Sequence, residues 1–487
     1  MRRPDDPMEA ATTQWCTNDG VAAGKDQRLV DRGLRFAMVT TFYPPHHFGG
    51  DGAYVRRLTH ALARRGHRVD VLHDVDAFRI LNEGPEPEPL DEPPGVTVHP
   101  FESRAPGLSC LATQQLGLPL VHGRRIRALL EQPDIDVIHF HNVSLIGGPG
   151  VLAYGSAIKL YTAHEHWLVC PSHILWRHGR EPCPGRECLR CVLRAKRPPQ
   201  LWRRAGVMER ASRHVDRFIS PSRFSAGKHR EFGFQAPMQV MPLFLPDGPA
   251  RAGGQRSPSP SPARGSGVDE RRPYFLFVGR LELIKGIQDV IPLFDDDAPA
   301  DLLIAGTGGY ESELRRLASD RRRVRFLGQI TPEALRDLYA AALALIAPSR
   351  CYEVFPMVLL EAFRERTPVI ARRLGPFPEV IEQSGAGLLF DSESELRSAI
   401  ALLAHDDDLR ARLGESGRRA FERYWSEEVV LEDYLRLIGE LARNRGRERV
   451  AARLAEVSPA GRSAKLGPAD RVEARTTAQS GTEGAVE

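Results

Sequence analysis

An α/β protein built from two open parallel sheets is the fold class this sequence predicts, on three observations. Short β-branched runs alternate with stretches of helical spacing, the pattern of strands joined by crossover helices. The alternation runs from about residue 34 to 245, stops, and restarts at 274. The interruption, "DGPARAGGQRSPSPSPARGSGVDERRP" (247–273), is rich in Pro, Gly, Ser and Arg and almost free of apolar side chains, so 246–273 reads as a linker. With 487 residues, 42% hydrophobic and 27% charged, the chain can bury two separate cores and is ordinary in composition for a globular protein.

The elements follow in order. Residues 1–33 are polar and carry acids, without the hydrophobic core of a signal peptide, so a disordered leader and a cytoplasmic protein are expected. "LRFAMVTTFYPP" is a strand running into a loop. "DGAYVRRLTHALARRGHRVDVLHD" sets Val55, Leu58 and Leu62 at helical spacing, stops at Gly66, and enters a strand from Val69. "PGVTVHPF", "IDVIHFHNVS" and "IKLYTAHEHW" add three more strands of a first domain, 34–245. In the second, 274–443, "YFLFVG", "LLIAGTG", "RVRFLG", "LALIAPS", "TPVIARR" and "GAGLLF" are strands, with helices at 332–341 and 356–366. An amphipathic helix at about 426–443 closes that domain, and 455–487 is expected to be a disordered tail.

The net charge of +4 is too small to imply nucleic-acid binding, and no apolar run reaches the length of a spanning helix. Four of the seven cysteines, Cys170, Cys183, Cys188 and Cys191, fall within an insertion at 168–204. In a reducing compartment such spacing favours a structural zinc over a redox or disulfide role or unligated thiols, with His164, His166, His173 and His178 as substitute ligands. Beyond it, "LRAKRPPQLWRR" has five basic residues, no acid and Trp202. That composition suits a lipid–water interface, peripheral on the inner face of a membrane, or an acidic acceptor; a solvated loop is the plainer reading.

Two α/β domains facing a cleft place ligands at the carboxyl ends of their strands. There, "APSRCYEVFPMVLLEAFRERTPVIA" sets Glu353 and Glu361 eight apart, with Pro356 suited to the first turn of a helix. Glu353 then lies just ahead of that helix and Glu361 inside it, while the free N–H groups of Phe355, Met357 and Val358 make an anion site beside a carboxylate able to accept from sugar hydroxyls. In "FVGRLELIKG", Arg280 and Lys285 follow a strand end, where two cations could neutralise a diphosphate or simply be solvated. Gly49 and Gly50 in "YPPHHFGGDGAYV" allow close approach of backbone to ligand, or make a turn. "HFHN" ends a strand, and His141 either points into the cleft or packs in the core.

"FGGDGAYVRRLTHALARRGHRVDVL", "VGRLELIKGI", "LLIAGTGGYESELRRLA", "RVRFLGQITPEALRDLYAAALALIAPS" and "YEVFPMVLLEAFRERTPVIA…GPFPEVI", in that order across roughly 35–443, resemble the retaining family-4 glycosyltransferases of the GT-B fold, two Rossmann-like domains facing a cleft. The resemblance implies transfer from a UDP- or GDP-sugar held by the second domain to a glycan, lipid-linked or small-molecule acceptor held by the first. It implies that Glu361 holds the ribose, Glu353 with the amides after it the donor sugar, and Arg280 and Lys285 the diphosphate. Gly50 would lie at the phosphate or acceptor side, His141 near the reacting centre, Gly306 and Gly308 in a turn near the base, and Glu379 behind the site. No catalytic metal is implied, since fixed cations stabilise the leaving group. The sequence departs at Glu353-Val354-Phe355-Pro356, where the family often has Glu-Gly-Phe-Gly. A non-catalytic zinc-stapled scaffold, and another sugar-nucleotide enzyme such as an epimerase, are the alternatives. Cys351 reads as a small apolar filler at a strand end.

Overall fold

A computed structural model describes residues 33–82, 84–248 and 272–457. The expected leader apart from Gly33, most of the linker and the tail beyond Val457 lie outside the described residues.

The first sheet contains β1 (Arg35–Val39), β2 (Arg68–Asp74), β3 (Val96–Phe101), β4 (Val137–Phe140) and β5 (Ile158–Thr162). A two-residue hairpin, β6 (Trp176–Arg177) and β7 (Glu181–Pro182), stands apart, and β8 (Arg217–Ser220) and β9 (Met238–Val240) complete the sheet. Its order is β3-β2-β1-β4-β5-β8-β9, all parallel. The helices here are α1 (Gly50–Arg64), α2 (Val75–Leu81), α3 (Pro106–Leu116), α4 (Gly123–Leu130), α5 (Cys188–Arg194), α6 (Val207–Ser212) and α7 (Arg223–Glu231). In α1 the face carrying Val55, Leu58 and Leu62 is buried, as its spacing requires.

The second sheet holds β10 (Tyr274–Val278), β11 (Asp301–Ala305), β12 (Val324–Gly328), β13 (Leu345–Ala347), β14 (Val369–Arg372) and β15 (Gly387–Phe390), in the order β12-β11-β10-β13-β14-β15 and again parallel. Around it lie α8 (Glu311–Leu317), α9 (Pro332–Ala341), α10 (Met357–Arg364), α11 (Phe377–Ser384), α12 (Glu393–His405) and α13 (Asp407–Ala420), with α14 (Glu427–Asn444) and α15 (Glu448–Val457) ending the described chain. Both sheets are lined with apolar side chains on both faces, the requirement of a parallel sheet covered by helices. In each, strand order reverses at one point: between β1 and β4, and between β10 and β13. The crevice outside such a point is where the fold leaves room for a ligand.

Two elements differ from expectation, and a third has an unusual burial pattern. The helix expected at 426–443 within the second domain forms as α14, but its stripe of Val430, Leu431, Tyr434, Leu437, Ile438 and Leu441 packs with Leu34, Phe36 and Leu58 of the first domain. An apolar stripe specifies that a helix is buried, not which core receives it. α15 then extends order to Val457, past the expected tail boundary at 455. α3 has the reverse of the usual pattern: Ser109, Cys110 and Thr113 are buried while Leu108, Leu111 and Leu116 are exposed, so its leucines do not mark a core-facing stripe.

Candidate active site

The chain segments that leave β1, β4, β10 and β13 face one another across a cleft of about 950 Å³. The first domain contributes Gly49, Gly50 and Asn142, and the second contributes Arg280, Lys285, Ser349, Glu353, Phe355, Met357 and Val358. Two switch points, one per sheet, thus bring together residues far apart in sequence.

Lys285 ends a short 3₁₀ turn, Leu283–Lys285, that Gly286 closes in the left-handed region (φ +77°). Its Nζ donates to Glu353 Oε1 at 2.7 Å, and Ser349 Oγ donates to the same oxygen at 2.7 Å. The two side chains are about one-fifth exposed (23% and 19%), and they open only onto the cleft. Burial works against both charges, yet each ion holds the other: the Lys285 ammonium is raised above its usual range and the Glu353 carboxyl is lowered below its own. Among the described residues Arg280 makes one ion pair, with Glu282 at 2.9 Å, and 56% of its side chain is exposed.

The anion site takes a modified form. Pro356 is the N-cap of α10 rather than part of its first turn, and the Met357 N–H is already donated to the Phe355 carbonyl (3.2 Å). Among the described residues the Phe355 and Val358 N–H groups have no partner, so two donors, not three, remain at this helix start. Glu361 lies one turn deeper and does not line the cleft. It accepts from Tyr339 Oη at 2.9 Å and faces Arg57 of α1, and burial raises its carboxyl above the usual range. Glu361 is thus engaged with Tyr339 and Arg57 just beneath the cleft lining.

Gly306 and Gly308 also lie outside the cleft lining. They lie under the loop that carries Arg280: a Cβ on Gly306 (φ +135°) would sit 2.0 Å from the Gly279 carbonyl oxygen, and one on Gly308 2.5 Å from that of Leu281. Close passage of two backbones accounts for glycine at both positions. Gly306→Ala is expected to cost about 2–4 kcal/mol through forced backbone movement, read as a lowered urea midpoint.

His141 is buried and does not line the cleft. Its Nδ1 is 2.9 Å from His164 Nε2, and His164, at the end of β5, is the ring that reaches the cleft wall. Burial lowers His164 to about 4, so a neutral imidazole faces the cleft. "TAHEHW" held this signal, in the same place after β5 that "HFHN" occupies after β4. His139 turns the other way, between Thr162 Oγ1 (2.8 Å) and Tyr434 Oη (2.9 Å).

The sequence profile described as "Glycosyltransferase Family 4" matches residues 48–246, and that described as "Glycosyl transferases group 1" matches 262–420. Together they span both domains and both halves of the cleft. The chain belongs to the group 1, family-4 glycosyltransferases. A D-inositol 3-phosphate glycosyltransferase from Corynebacterium jeikeium is 36% identical over 165 residues, covering 31% of this chain and 39% of the relative. Matches to the first curated relatives span about two-fifths of their length. Sucrose-phosphate synthase from Thermosynechococcus elongatus superposes with a TM-score of 0.62 at 21% identity, covering 84% of this chain and 99% of that one. HepE from Anabaena, solved in complex with UDP, gives a TM-score of 0.56 at 16% identity, covering 84% and 100%. These neighbours share the GT-B fold.

In this family-4 chain the Val354–Pro356 departure is accommodated by the first domain. Ser222 Oγ donates to the Val354 carbonyl (2.7 Å), His166 Nε2 is 3.3 Å from the Tyr352 carbonyl oxygen, and Phe224 packs on the Tyr352 ring. Glu379 accepts from the N–H groups of Arg223 and Phe224 at the start of α7, each at 3.0 Å, so it joins the two domains directly behind the site.

The insertion is held by backbone contacts to its cysteines. The His178 N–H donates to Cys191 Sγ (3.3 Å), and Cys183 Sγ donates to the Gly185 carbonyl (3.0 Å). Among the described residues, the one group of three His, Cys, Asp or Glu with ligand atoms within 4.8 Å of one another is Asp74, Asp76 and His122. The sulfurs of Cys170, Cys183, Cys188 and Cys191 are therefore not gathered at the spacing of one tetrahedral ion. Cys351 is buried and burial pushes its thiol up to about 12, as suits a filler rather than a nucleophile. No helix among the described residues is long and apolar enough to cross a membrane.

Proposed function

We propose that the protein transfers a hexose from a UDP- or GDP-sugar to an acceptor hydroxyl with retention of anomeric configuration. The observation that carries this reading is the Lys285–Glu353–Ser349 cluster opening onto the cleft beside Arg280 and two free amides. Lys285, Arg280 and the Phe355 and Val358 N–H groups hold the donor diphosphate, and Glu353 accepts from the sugar hydroxyls. The bond from the anomeric carbon to the phosphate oxygen breaks as the acceptor oxygen bonds to that carbon from the same face. The acceptor proton passes to the departing phosphate oxygen. Fixed cations offset the charge that develops there, and the cleft holds the reactants in register. A scaffold alone has no need of a charged pair held at the mouth of a cleft against the cost of its desolvation. The four cysteines remain a proposed structural metal site, whose thiols would have to close around the ion.

Thermal-shift titration with UDP- and GDP-sugars tests the donor assignment: one of them raises Tm in a concentration-dependent way, and no response to any of them sinks it. Gly50 offers a separate check on the cleft. A Cβ there meets nothing within 4 Å, and the position opens α1. Gly50→Leu should leave stability within about 1 kcal/mol, because leucine is the better helix former. With its side chain in the cleft, transfer should fall by about 10²-fold. Full activity in that variant would put the reacting centre elsewhere.

A further inference from the structure

Behind the wall of the cleft formed by the cysteine-bearing insertion lies a second groove, of about 1160 Å³. Its floor is apolar, made by Leu168, Val169, Met208 and Phe234, and its lips carry Leu189 and Leu201. Those two leucines are 43% and 64% exposed. Basic groups outnumber acids around the groove. Arg190, Arg204 and Arg213 form no ion pair among the described residues. Of the two acids there, Glu187 is engaged by His178 and Arg177, with Arg190 adding to its charge environment, and Glu209 is the other. Arg203 belongs to the wall itself, donating to the Trp167 carbonyl (2.6 Å) and lying over the Trp202 ring at 4.5 Å.

The groove and the cleft adjoin: Pro171, Val192 and Gln200 line both. At the meeting point, on the cleft side, stands Arg197, exposed and also without an acidic partner among the described residues. A molecule lying across the join would meet apolar surface on the groove side, guanidinium groups at the crossing, and the reacting centre beyond.

We propose that the groove holds the apolar chain of a lipid-linked acceptor, with its phosphate or diphosphate at Arg190 and Arg197 and its hydroxyl-bearing head in the cleft. This rests on the transferase reading and names its acceptor class. A long chain removes Leu189 and Leu201 from water, and guanidinium forks match phosphate oxygens in pairs. A neutral glycan or a free small molecule would use neither feature. Nor would an acidic acceptor without a chain use the apolar floor.

The test is equilibrium binding of a fluorescent hexadecyl phosphate below its micelle concentration, without donor, with unlabelled hexadecyl phosphate, hexadecanol and inorganic phosphate as competitors. Wild type is expected to bind saturably, displaced by hexadecyl phosphate, weakly by hexadecanol and not by inorganic phosphate. Leu201→Asp, at an exposed position, should weaken binding by at least about tenfold. Arg197→Ser should weaken hexadecyl phosphate by about tenfold while leaving hexadecanol unchanged. Leu189→Asp repeats the first result at an independent position. Absence of saturable binding in wild type overturns the proposal, as does binding indifferent to Leu201→Asp and Leu189→Asp. So does a wild-type dimer that dissociates in Leu201→Asp without any lipid binding, since a second copy would then cover the groove. Donor thermal shifts are measured on the same variants and should not change. In wild type, absent lipid binding beside an intact donor response condemns this inference alone, and lipid binding beside no response to any donor condemns the transferase reading alone.

Discussion

Lys285→Met is expected to lower kcat by about 10²–10³-fold, the loss typical of removing one preorganised charge from a developing oxyanion. Methionine keeps the length of the stem and removes only the ammonium. The charge is held now by Glu353 at 2.7 Å, with burial opposing and the carboxylate outweighing it. In the variant Glu353 keeps the Ser349 hydroxyl and the Arg280 charge but loses its ion-pair partner, so its negative charge faces the anionic donor uncompensated at close range. Both donor affinity and turnover therefore suffer. Glu353→Gln keeps the Ser349 contact and frees Lys285, so donor affinity should fall less than it does in Lys285→Met. The double variant should be less impaired than the product of the two, because the singles each leave one partner unpaired. Steady-state kinetics on the four proteins decides. Strict multiplicativity would mean that the two residues act apart, and unchanged kcat in Lys285→Met would remove the diphosphate role altogether.

How far the sequence reached follows from what each residue does. Both sheets were legible because parallel strands covered on two faces are short apolar runs, and "YFLFVG" or "LALIAPS" admit little else. Lys285, Glu353, Gly49 and Gly50 were legible as cleft residues because they follow strand ends at the switch points, and strand order alone puts those ends together. Spacing places Glu361, Gly306 and Gly308 along their elements but not at a depth, and all three lie beneath the lining of the cleft. His141 and His164 occupy equivalent positions after β4 and β5, and only the geometry assigns the cleft to His164. The exposed leucines of α3 and of the insertion could not be told from core leucines by composition, and it took the surface to show that some line an open groove.

Acid should unfold the first domain well before the second. His67, His73, His139, His141, His166 and His229 are all buried, and burial is the leading cause that holds each below its ordinary value of 6.5: His67 and His229 at about 4, His73 and His166 at about 3, and His139 and His141 well below. These rings stay neutral when folded and bind protons when unfolded, so below pH 6.5 the unfolded state carries more protons. Stability from these groups is complete above that pH and is lost as pH falls toward 4, at up to about 1.4 kcal/mol per histidine per unit. Burial raises Asp74, to about 7, and Asp74 opposes the trend as one group against six. The second domain has one histidine, His405, which is exposed, and its raised carboxyls Glu361 and Glu379 shift its balance the other way. Calorimetry between pH 7.5 and 5.5 should therefore resolve a first-domain transition that falls by about 10 °C or more while a later one stays nearly fixed. Nucleotide-sugar binding by the second domain should outlast acceptor-side structure over the same interval. A single transition that does not move over this range would mean that the buried rings are already protonated, or solvated, in the folded protein.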